Sequence, residues 1–340
     1  MGVPMNKKFT GIILLTFLFG IALMQGQDRK IAQTGMKFLN VGASAQATGM
    51  AEAITSIEGQ SMSMFYNPAG MARQESFVDV YINQTQWIAD ITHNFASISI
   101  NPEGGTYGVI GLTLQFVDYG DLQRTIRADN TQGFLELGTF KPAASAIGIG
   151  YANALSDRFS VGGNIKFVNQ DLGTSTTGLD PQGGRIDKSS STDVLVFDFG
   201  MLYKTGFKSL QFGVSVRNFS KEVKYEEEGF QLPLIFKIGL SMNLIELLEM
   251  DKATDSFILA VDATHPRDYP EQINLGAEYT FMKLLSVRGG YMFNNDEYGL
   301  TAGVGVQKDV AGFHLGVDYS YMPFGVFSTV HRIAFQLSVL

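Results

Sequence analysis

Cysteine is absent from this chain of 340 residues, so no disulfide framework can hold its fold together. The sequence also contains no basic run and carries a formal net charge of −8, which makes nucleic acid a poor partner. After the first 26 residues, no apolar stretch approaches the ~20 residues that a membrane-spanning helix needs. These absences exclude a disulfide-rich domain, a nucleic-acid binder and a helical membrane protein.

The first residues have the layout of a signal peptide. Lys7 and Lys8 precede an apolar run, Phe9–Leu23, that is too short to span a bilayer of ~30 Å. We expect cleavage before Gln27, so that residues 1–26 are removed and the formal charge falls from −8 to −10 with the two lysines. The alternative is a buried core helix, but the polar, glycine-rich sequence that follows favours the signal peptide.

Apolar and polar residues alternate along most of the remaining chain. A period of two predicts strands, each with one apolar face. Most segments approach the ~9–11 residues of a membrane-crossing strand and exceed the ~5–6 residues of soluble strands. A soluble β-sandwich also alternates, but the length and even number of the segments favour an all-β, transmembrane antiparallel β-barrel of about 14 strands. The predicted strands are 77–85, 94–100, 105–118, 142–154, 159–170, 192–204, 210–218, 232–242, 256–264, 272–280, 285–293, 299–308, 311–322 and 329–340.

The connections alternate in length. Those after even-numbered strands are mostly tight, whereas Tyr119–Lys141, Asp171–Ser191 and Phe219–Gln231, after odd-numbered strands, are longer and polar. Bacterial barrels turn their short connections to the periplasm, which predicts that both termini of the processed chain are periplasmic. Asn243–Asp255 breaks this rule, and we interpret it as a short amphipathic helix at the membrane edge or as a packed loop.

Charged residues occupy the polar face of several strands. Each would cost ~2–4 kcal/mol in lipid, so the sequence predicts that they point into the lumen. Their mixed signs favour a structural salt-bridge lattice over a substrate path or an ion channel of one sign. These candidate lumen residues are Lys166, Arg217, Lys237, Asp262, Glu278, Arg288, Asp318 and Arg332.

The segment before the first strand does not alternate. Ala47, Met50, Ala51 and Ile54 have helical spacing, and several methionines could provide adaptable packing. We therefore predict an N-terminal helical hatch or plug over residues 27–76, which closes the barrel of residues 77–340 from the periplasmic side. A turn is expected at Asn67, because Pro68 follows it and its side chain can bond the next backbone groups.

Signals for catalysis are missing from the sequence. The four histidines lack metal-ligand spacing, and no nucleophile elbow or phosphate-binding loop occurs. The acidic run Glu226–Glu228 lacks the ligand spacing of a calcium loop and is interpreted as solvated. We expect no enzyme activity, no catalytic residue, no cofactor and no metal.

Two parts of the sequence resemble a known superfamily. The run Gly42–Ala72 resembles the N-terminal hatch of FadL-like long-chain fatty acid transporters, in which an asparagine-proline-alanine-glycine motif precedes the first of fourteen strands. Here that hatch motif is Asn67, Pro68, Ala69 and Gly70. The C-terminal half is similar to the PorV/PorQ branch of the same superfamily, in the blocks Val261–Phe281, Val287–Val306 and Asp318–Leu337.

The resemblance implies an outer-membrane barrel of a Gram-negative, Bacteroidota-type bacterium that is tied to type IX secretion. Its expected partners are other secretion-system outer-membrane subunits and exported cargo proteins, bound through extracellular loops, together with the lipid bilayer. The alternative is a FadL-like transporter of hydrophobic small molecules, with a hydrophobic ligand or lipid in the barrel. A third possibility, independent of the resemblance, is a structural soluble β-protein of the periplasm.

Overall fold

The computed structural model describes residues 34–340 except 183, 249–253 and 296–298, so the predicted signal peptide lies outside the described residues. The described chain forms strands joined by turns and a few short helices. The strands are β1 (Val78–Gln86), β2 (Thr92–Ile100), β3 (Val109–Asp118), β4 (Leu122–Arg127), β5 (Phe134–Phe140), β6 (Ala143–Ala154), β7 (Phe159–Leu179), β8 (Arg185–Lys204), β9 (Gln211–Phe219), β10 (Val223–Lys224), β11 (Gly229–Phe230), β12 (Ile235–Asn243), β13 (Ser256–Pro266), β14 (Gln272–Phe281), β15 (Leu285–Phe293), β16 (Leu300–Val310), β17 (Phe313–Pro323) and β18 (Thr329–Val339).

Fourteen of these strands close into one antiparallel barrel. Neighbours in the chain pair with one another around the wall, and β1 pairs with β18 from Val78↔Val339 to Gln86↔His331 to complete the ring. Because a closed ring has no free edge, the backbone groups of the wall are satisfied within the sheet. The predicted all-β fold of about fourteen antiparallel strands is confirmed.

The apolar face of the barrel points outwards. In β3, Ile110, Leu112 and Leu114 are exposed, whereas Thr113 and Gln115 between them are buried. A soluble barrel buries its apolar face, so this inverse arrangement is the one expected of a barrel that meets lipid.

No helix among the described residues is long and apolar enough to cross a membrane.

Most strand bounds agree with the prediction within a few residues, but the long connections do not. β7 continues to Leu179 and β8 begins at Arg185, so most of the predicted loop Asp171–Ser191 is a hairpin that extends the wall. Threonine-rich sequence there has a high strand propensity. β4 and β5 form a second hairpin within the predicted loop Tyr119–Lys141, and β10 and β11 form a small one after β9. The interpretation of these connections as loops was wrong in this respect.

The exceptional connection after β12 contains a one-turn helix, Ile245–Leu248. Ile245 is buried and Leu247 is exposed, so the turn is amphipathic, although residues 249–253 lie outside the described part of the chain. This agrees with the helical alternative for Asn243–Asp255.

The N-terminal segment, Thr34–Phe77, packs inside the barrel as a series of short turns. Its α-helix Ala45–Gly49 contacts β15 to β18, and the prediction of helical spacing up to Ile54 was wrong in extent. The helix ends because Ala51 and Glu52 adopt positive φ values of 53° and 61°. The other helical pieces of the segment are Lys37–Asn40, Ser63–Tyr66 and Pro68–Arg73, and short turns elsewhere are Ile88–Asp90, Pro102–Gly105 and Gly325–Phe327.

Glycines in the wall permit the close approach of the asparagine-proline turn. A Cβ atom at Gly162 of β7 would lie 2.5 Å from the carbonyl carbon of Pro68, and one at Gly200 of β8 would collide with Asn67. The backbone of the turn therefore lies directly on the wall, in space that any larger residue would fill.

The segment runs from one end of the barrel to the other. Thr34 forms a β-bridge with Gln231, and its hydroxyl donates a hydrogen bond to Asp268 over 2.7 Å. Both partners lie in connections at the end of the barrel that carries the long hairpins, called the long-loop end below. Phe77 enters β1 at the opposite, short-turn end, next to Val339. Thr34 therefore lies at the long-loop end. The expected N-terminus of the processed chain, Gln27, lies outside the described residues, so the periplasmic placement of both termini stays a prediction.

The outward-facing apolar side chains of the wall lead to a stability prediction. Val304 lies outward in the middle of β16 and is 48% exposed. Val304→Lys should lower the free energy of unfolding from lipid vesicles by ~2–4 kcal/mol, because the ammonium group would lie in hydrocarbon. Urea titration followed by tryptophan fluorescence would measure this change. Val326→Lys, in an exposed turn at the long-loop end, is the matched control and should have little effect, and equal effects of both would contradict a lipid-facing β16.

Candidate functional site

Carboxylates of the barrel wall accept hydrogen bonds from N–H and hydroxyl groups of the N-terminal segment. Asp262 of β13 accepts hydrogen bonds from the backbone N–H and the hydroxyl of Thr55, at 3.2 and 2.6 Å. Asp79 of β1 accepts from the backbone N–H of Ser61 at 2.7 Å. Because these carboxylates are buried, they need hydrogen-bond donors, and the segment supplies some of them. The interior of the barrel and the segment therefore form one hydrogen-bonded unit.

The predicted turn at the hatch motif is present. The side chain of Asn67 accepts from the backbone N–H of Ala69 at 3.2 Å and donates to the carbonyls of Thr55 and Met201. Pro68 begins the 3₁₀ turn that follows, and Gly70 is buried within it. The motif thus joins two parts of the segment to the wall at β8.

All eight predicted lumen residues lie on the inward face of their strands, where Asp318 is half-buried and the other seven are buried. Six of them form ion pairs. Lys166 pairs with Asp198 at 2.8 Å, Lys237 with Asp262 at 3.8 Å, and Arg288 with both Glu278 and Asp318, the latter at 2.5 Å. These buried ion pairs form the salt-bridge lattice that the mixed signs of the charges predict.

Arg217 and Arg332 differ from the other six. Neither forms an ion pair with a described carboxylate. Arg217 donates instead to the carbonyl of Leu39 at 3.2 Å, and Arg332 donates to the carbonyl of Gly42 at 3.3 Å. The two guanidinium groups are therefore held against the N-terminal segment by neutral acceptors.

A β-bulge follows Arg217 and turns Asn218 inward beside it. The pairing of β8 with β9 shifts between Phe197↔Phe219 and Phe199↔Val216, so that Arg217 and Asn218 together oppose Asp198. Asn218 adopts a positive φ of 61°, and its N–H donates to Asp198 at 2.8 Å. Both bulged side chains are buried, which alternation along the strand would not allow.

Sequence reasoning missed several interior residues, including Asp79, Asp198, Asn218 and Glu52. Asp79 and Asp198 each lie between two apolar residues of a strand, and the same alternation could have identified them. Asn218 turns inward only because of the bulge, and Glu52 lies in a turn of the N-terminal segment. The sequence carries no periodic signal for these two.

A cavity of about 530 Å³ lies between the N-terminal segment and the long-loop half of the wall. This volume is within the ~300–1,000 Å³ range of small-molecule sites. Arg217, Lys237 and Arg332 line it from the wall. The segment contributes Met36, Lys37, Phe38, Asn40, Val41, Gly42 and Glu52. Its apolar contacts include Trp87, Ile91, Tyr119, Met292, Met322 and Phe324.

Three hairpins surround the long-loop end. The ring of Phe140 at the base of β4–β5 lies beside Gly173 of β7, where the position of a Cβ atom would be 2.6 Å from the ring. In the β10–β11 connection, Tyr225 donates to Gln170 at 2.8 Å, and Glu226 pairs with Lys188 at 2.7 Å. Burial, with the nearby Tyr119 and Asp171, raises the pKa of Tyr225 to about 12, so the phenol stays a donor at neutral pH. The hairpins are thus joined at their bases.

The histidines make local contacts. His265 and His314 pair with Glu271 and Asp309 at 2.9 and 2.7 Å, and His331 bonds the hydroxyl of Tyr319 at 2.7 Å. His93 packs edge-on against the ring of Trp87. Among the described residues, no three histidine, aspartate or glutamate side chains are grouped as a metal site would require.

The lattice predicts an unequal cost for breaking buried and exposed ion pairs. Arg288→Gln leaves Glu278 and Asp318 without their cation and should lower the free energy of unfolding by ~3–5 kcal/mol. Lys188→Gln removes an exposed pair and should cost no more than ~1 kcal/mol. Urea unfolding in vesicles would compare the two. Adding Glu278→Gln and Asp318→Asn to the first variant should restore part of the loss, and equal costs for the two single variants would count against the lattice.

Comparison with known proteins agrees with this fold. The crystal structures of the toluene transporters TbuX of Ralstonia pickettii and TodX of Pseudomonas putida align with TM-scores of 0.57 and 0.58 at 13% and 11% identity. They cover 88% and 92% of this chain and 99% of their own. A Pseudomonas aeruginosa FadL homologue aligns with a TM-score of 0.53 at 10% identity, over 87% of this chain and 97% of its own. A comparison with curated protein sequences finds no significant match.

A family model supplies the assignment. The model described as "Type IX secretion system membrane protein PorP/SprF" matches residues 144–339, which is more than half of the chain and covers β6 to β18. It agrees with the expected type IX secretion barrel, while the finer PorV/PorQ name is not confirmed by it. This outer-membrane β-barrel belongs to the PorP/SprF family of type IX secretion system membrane proteins.

Proposed function

We propose that this barrel binds secreted cargo or partner subunits of the type IX secretion system at its long-loop end. The observation that carries the proposal is the projecting hairpin of β7 and β8. Residues 172–179 continue β7 beyond the length needed to cross a bilayer, and at ~3.3 Å per residue they extend the strand by ~25 Å. A transport wall alone does not need this extension.

The β4–β5 hairpin adds a second surface of the same kind. Its two strands pair with each other as a separate sheet, so each strand has an outer edge that another strand can join. Leu122, Phe134 and Leu135 on this hairpin are exposed. An extended segment of a partner protein would find backbone donors, backbone acceptors and apolar side chains here.

We infer the orientation from the rule that bacterial barrels turn their short connections to the periplasm. We place the short turns and Leu340 in the periplasm and the hairpins outside the cell, in the outer membrane of a Bacteroidota-type bacterium. The role is one of binding rather than catalysis, without cofactor or metal, and it includes the finer possibility of a PorV/PorQ-like part in cargo transfer or attachment.

The test is capture of partners by a shortened hairpin. Asp171 pairs with Ser191, so an Asn-Gly turn can replace residues 172–190 without a change of register. Pull-down from the native outer membrane in mild detergent, followed by mass spectrometry, should recover secretion subunits or cargo with the unaltered barrel and several-fold less with the variant. The lost hairpin contacts explain the reduction, and heat-dependent gel migration should show that the barrel still assembles.

The matched control shortens the other end. Lys204 pairs with Gln211, so Asn-Gly can replace residues 205–210 at the short-turn end in the same way. This control should retain capture. Undiminished capture by the shortened hairpin, or equal loss in both variants, would contradict binding at the long-loop end.

A second candidate function is transport of hydrophobic small molecules through a lumen that the N-terminal segment gates. The apolar part of the cavity favours it, as does the fold shared with the toluene transporters. Phe65 of the segment packs against Phe95 of the wall, with ring centroids 5.6 Å apart. Phe65→Ala should loosen this contact and change the rate of N-phenylnaphthylamine uptake into vesicles several-fold, whereas Phe327→Ala, in an exposed turn, should not. Equal uptake by empty, unaltered and variant vesicles would remove this function.

A further inference from the structure

Two buried guanidinium groups meet the same cavity, and neither forms an ion pair with a described carboxylate. Arg217 is 3% exposed and Arg332 is 2% exposed, and both line the cavity. The Nε–H of Arg217 and an Nη1–H of Arg332 have no acceptor among the described residues. A buried cation that lacks both a carboxylate and a full set of acceptors is costly, unless a ligand supplies them.

The contacts that these arginines do make position them without neutralising them. Each donates to a backbone carbonyl of the N-terminal segment, and the guanidinium of Arg217 also stacks 3.9 Å from the ring centre of Phe65. Trp87 lies 5.7 Å from the guanidinium of Arg332. Carbonyls and aromatic rings orient a planar cation, but they leave its positive charge in place.

The lining of the cavity is positive. Among the described lining residues, Lys37, Arg217, Lys237 and Arg332 are basic, and Glu52 is acidic. Lys37 and Lys237 are paired with Asp268 and Asp262, so the two arginines carry the excess positive charge. The Glu52 carboxylate already accepts a hydrogen bond from the hydroxyl of Thr48 at 2.6 Å. A concave site with this balance concentrates anions.

Hydrogen-bond acceptors lie on another part of the lining. The Oδ1 atom of Asn274 in β14 and the hydroxyl oxygen of Thr264 in β13 are buried without a partner among the described residues. An alkyl carboxylate would satisfy the arginines and leave these oxygens without donors. A ligand that carries N–H groups beside its carboxylate would satisfy both sets.

The cavity ends at the N-terminal segment. Val41 and Gly42 line it, and beyond them the helix Ala45–Gly49 is fully buried against the wall. The wall residues that line the cavity come from the long-loop half of the barrel, so a ligand enters from that end. A peptide can place only its end there, because a continuing chain has no path through the buried helix.

We propose that Arg217 and Arg332 bind the terminal carboxylate of a peptide, whose backbone N–H groups donate to Asn274 and Thr264. This deepens the proposed function, on which it rests, by naming the part of a secreted partner that the lumen receives. Paired N–H donors of arginine suit a planar carboxylate, and hydrogen bonds between charged groups are stronger than those between neutral groups.

Two peptide pools give a direct test on the full-length protein. N-acetylated random pentapeptides would be made once with a free carboxyl end and once as C-terminal amides, with decanoate as a third probe. Immobilised protein should retain the free-acid pool about tenfold better than the amide pool, because the amide lacks the charge. Bound acid peptides should also change the fluorescence of Trp87, the single tryptophan of the chain, and decanoate should compete weakly.

Variants then locate the site. Arg217→Gln and Arg332→Gln should each reduce retention of the acid pool about tenfold, and Arg332→Lys should reduce it less, because lysine keeps the charge but loses the planar fork. Arg158→Gln, at the short-turn end, is the control and should change nothing. The comparison of acid and amide pools on the unaltered protein needs no substitution, so it tests the proposal even if a variant fails to fold.

Each outcome decides between stated alternatives. Equal retention of acid and amide peptides, retention of neither, or binding of decanoate without peptides would overturn the proposal. If the acid pool binds through both arginines while the shortened hairpin still captures every partner, the site stands and the proposed function fails. If capture depends on the hairpin while the arginine variants bind peptides normally, the function stands and the site fails.

Discussion

Each charged side chain that the closed barrel turns inward must find a partner inside the barrel. The wall separates it from the surrounding lipid, so its partners come from neighbouring strands or from the N-terminal segment. Neighbouring strands provide part of the answer, as in the group of Arg288, Glu278 and Asp318. The N-terminal segment provides the rest, since Thr55 donates to Asp262, Ser61 donates to Asp79, and backbone carbonyls accept from Lys237 and the two unpaired arginines. The segment is therefore part of the electrostatic structure of the wall.

The sequence predicted the barrel well because its evidence is local. Alternation along one strand shows which residues face outward, and the apolar outward face of β3 follows directly from Ile110, Leu112 and Leu114. The same rule turned all eight candidate charges inward. It failed in the long connections, where strand propensity and pairing beyond the membrane extend β7 and β8. Alternation there is weak because both faces of a projecting hairpin meet water.

The candidate site could not be predicted because it depends on pairing between strands. Arg217, Arg288 and Arg332 look alike in the sequence, yet of these three only Arg288 forms ion pairs with described carboxylates. The difference arises from the register of β14, β15 and β17 and from the bulge in β9. No local pattern marks the bulge, because alternation would point the side chain of Asn218 outward, and only its positive φ turns that side chain inward. The two arginines that the lattice leaves without an ion pair can therefore be identified only from the three-dimensional structure.

The course of the N-terminal segment has a consequence for how the barrel assembles. The segment crosses the lumen from Thr34 at the long-loop end to Phe77 at the short-turn end, and the next strand, β1, forms the seam with β18. A finished ring would have to admit the segment lengthwise past the ion pairs of its interior. A sheet that is still open can instead curl around it. The pairing of β1 with β18 is then the step that encloses the segment, and a part of the chain that precedes every strand of the barrel becomes the template on which the last strand closes.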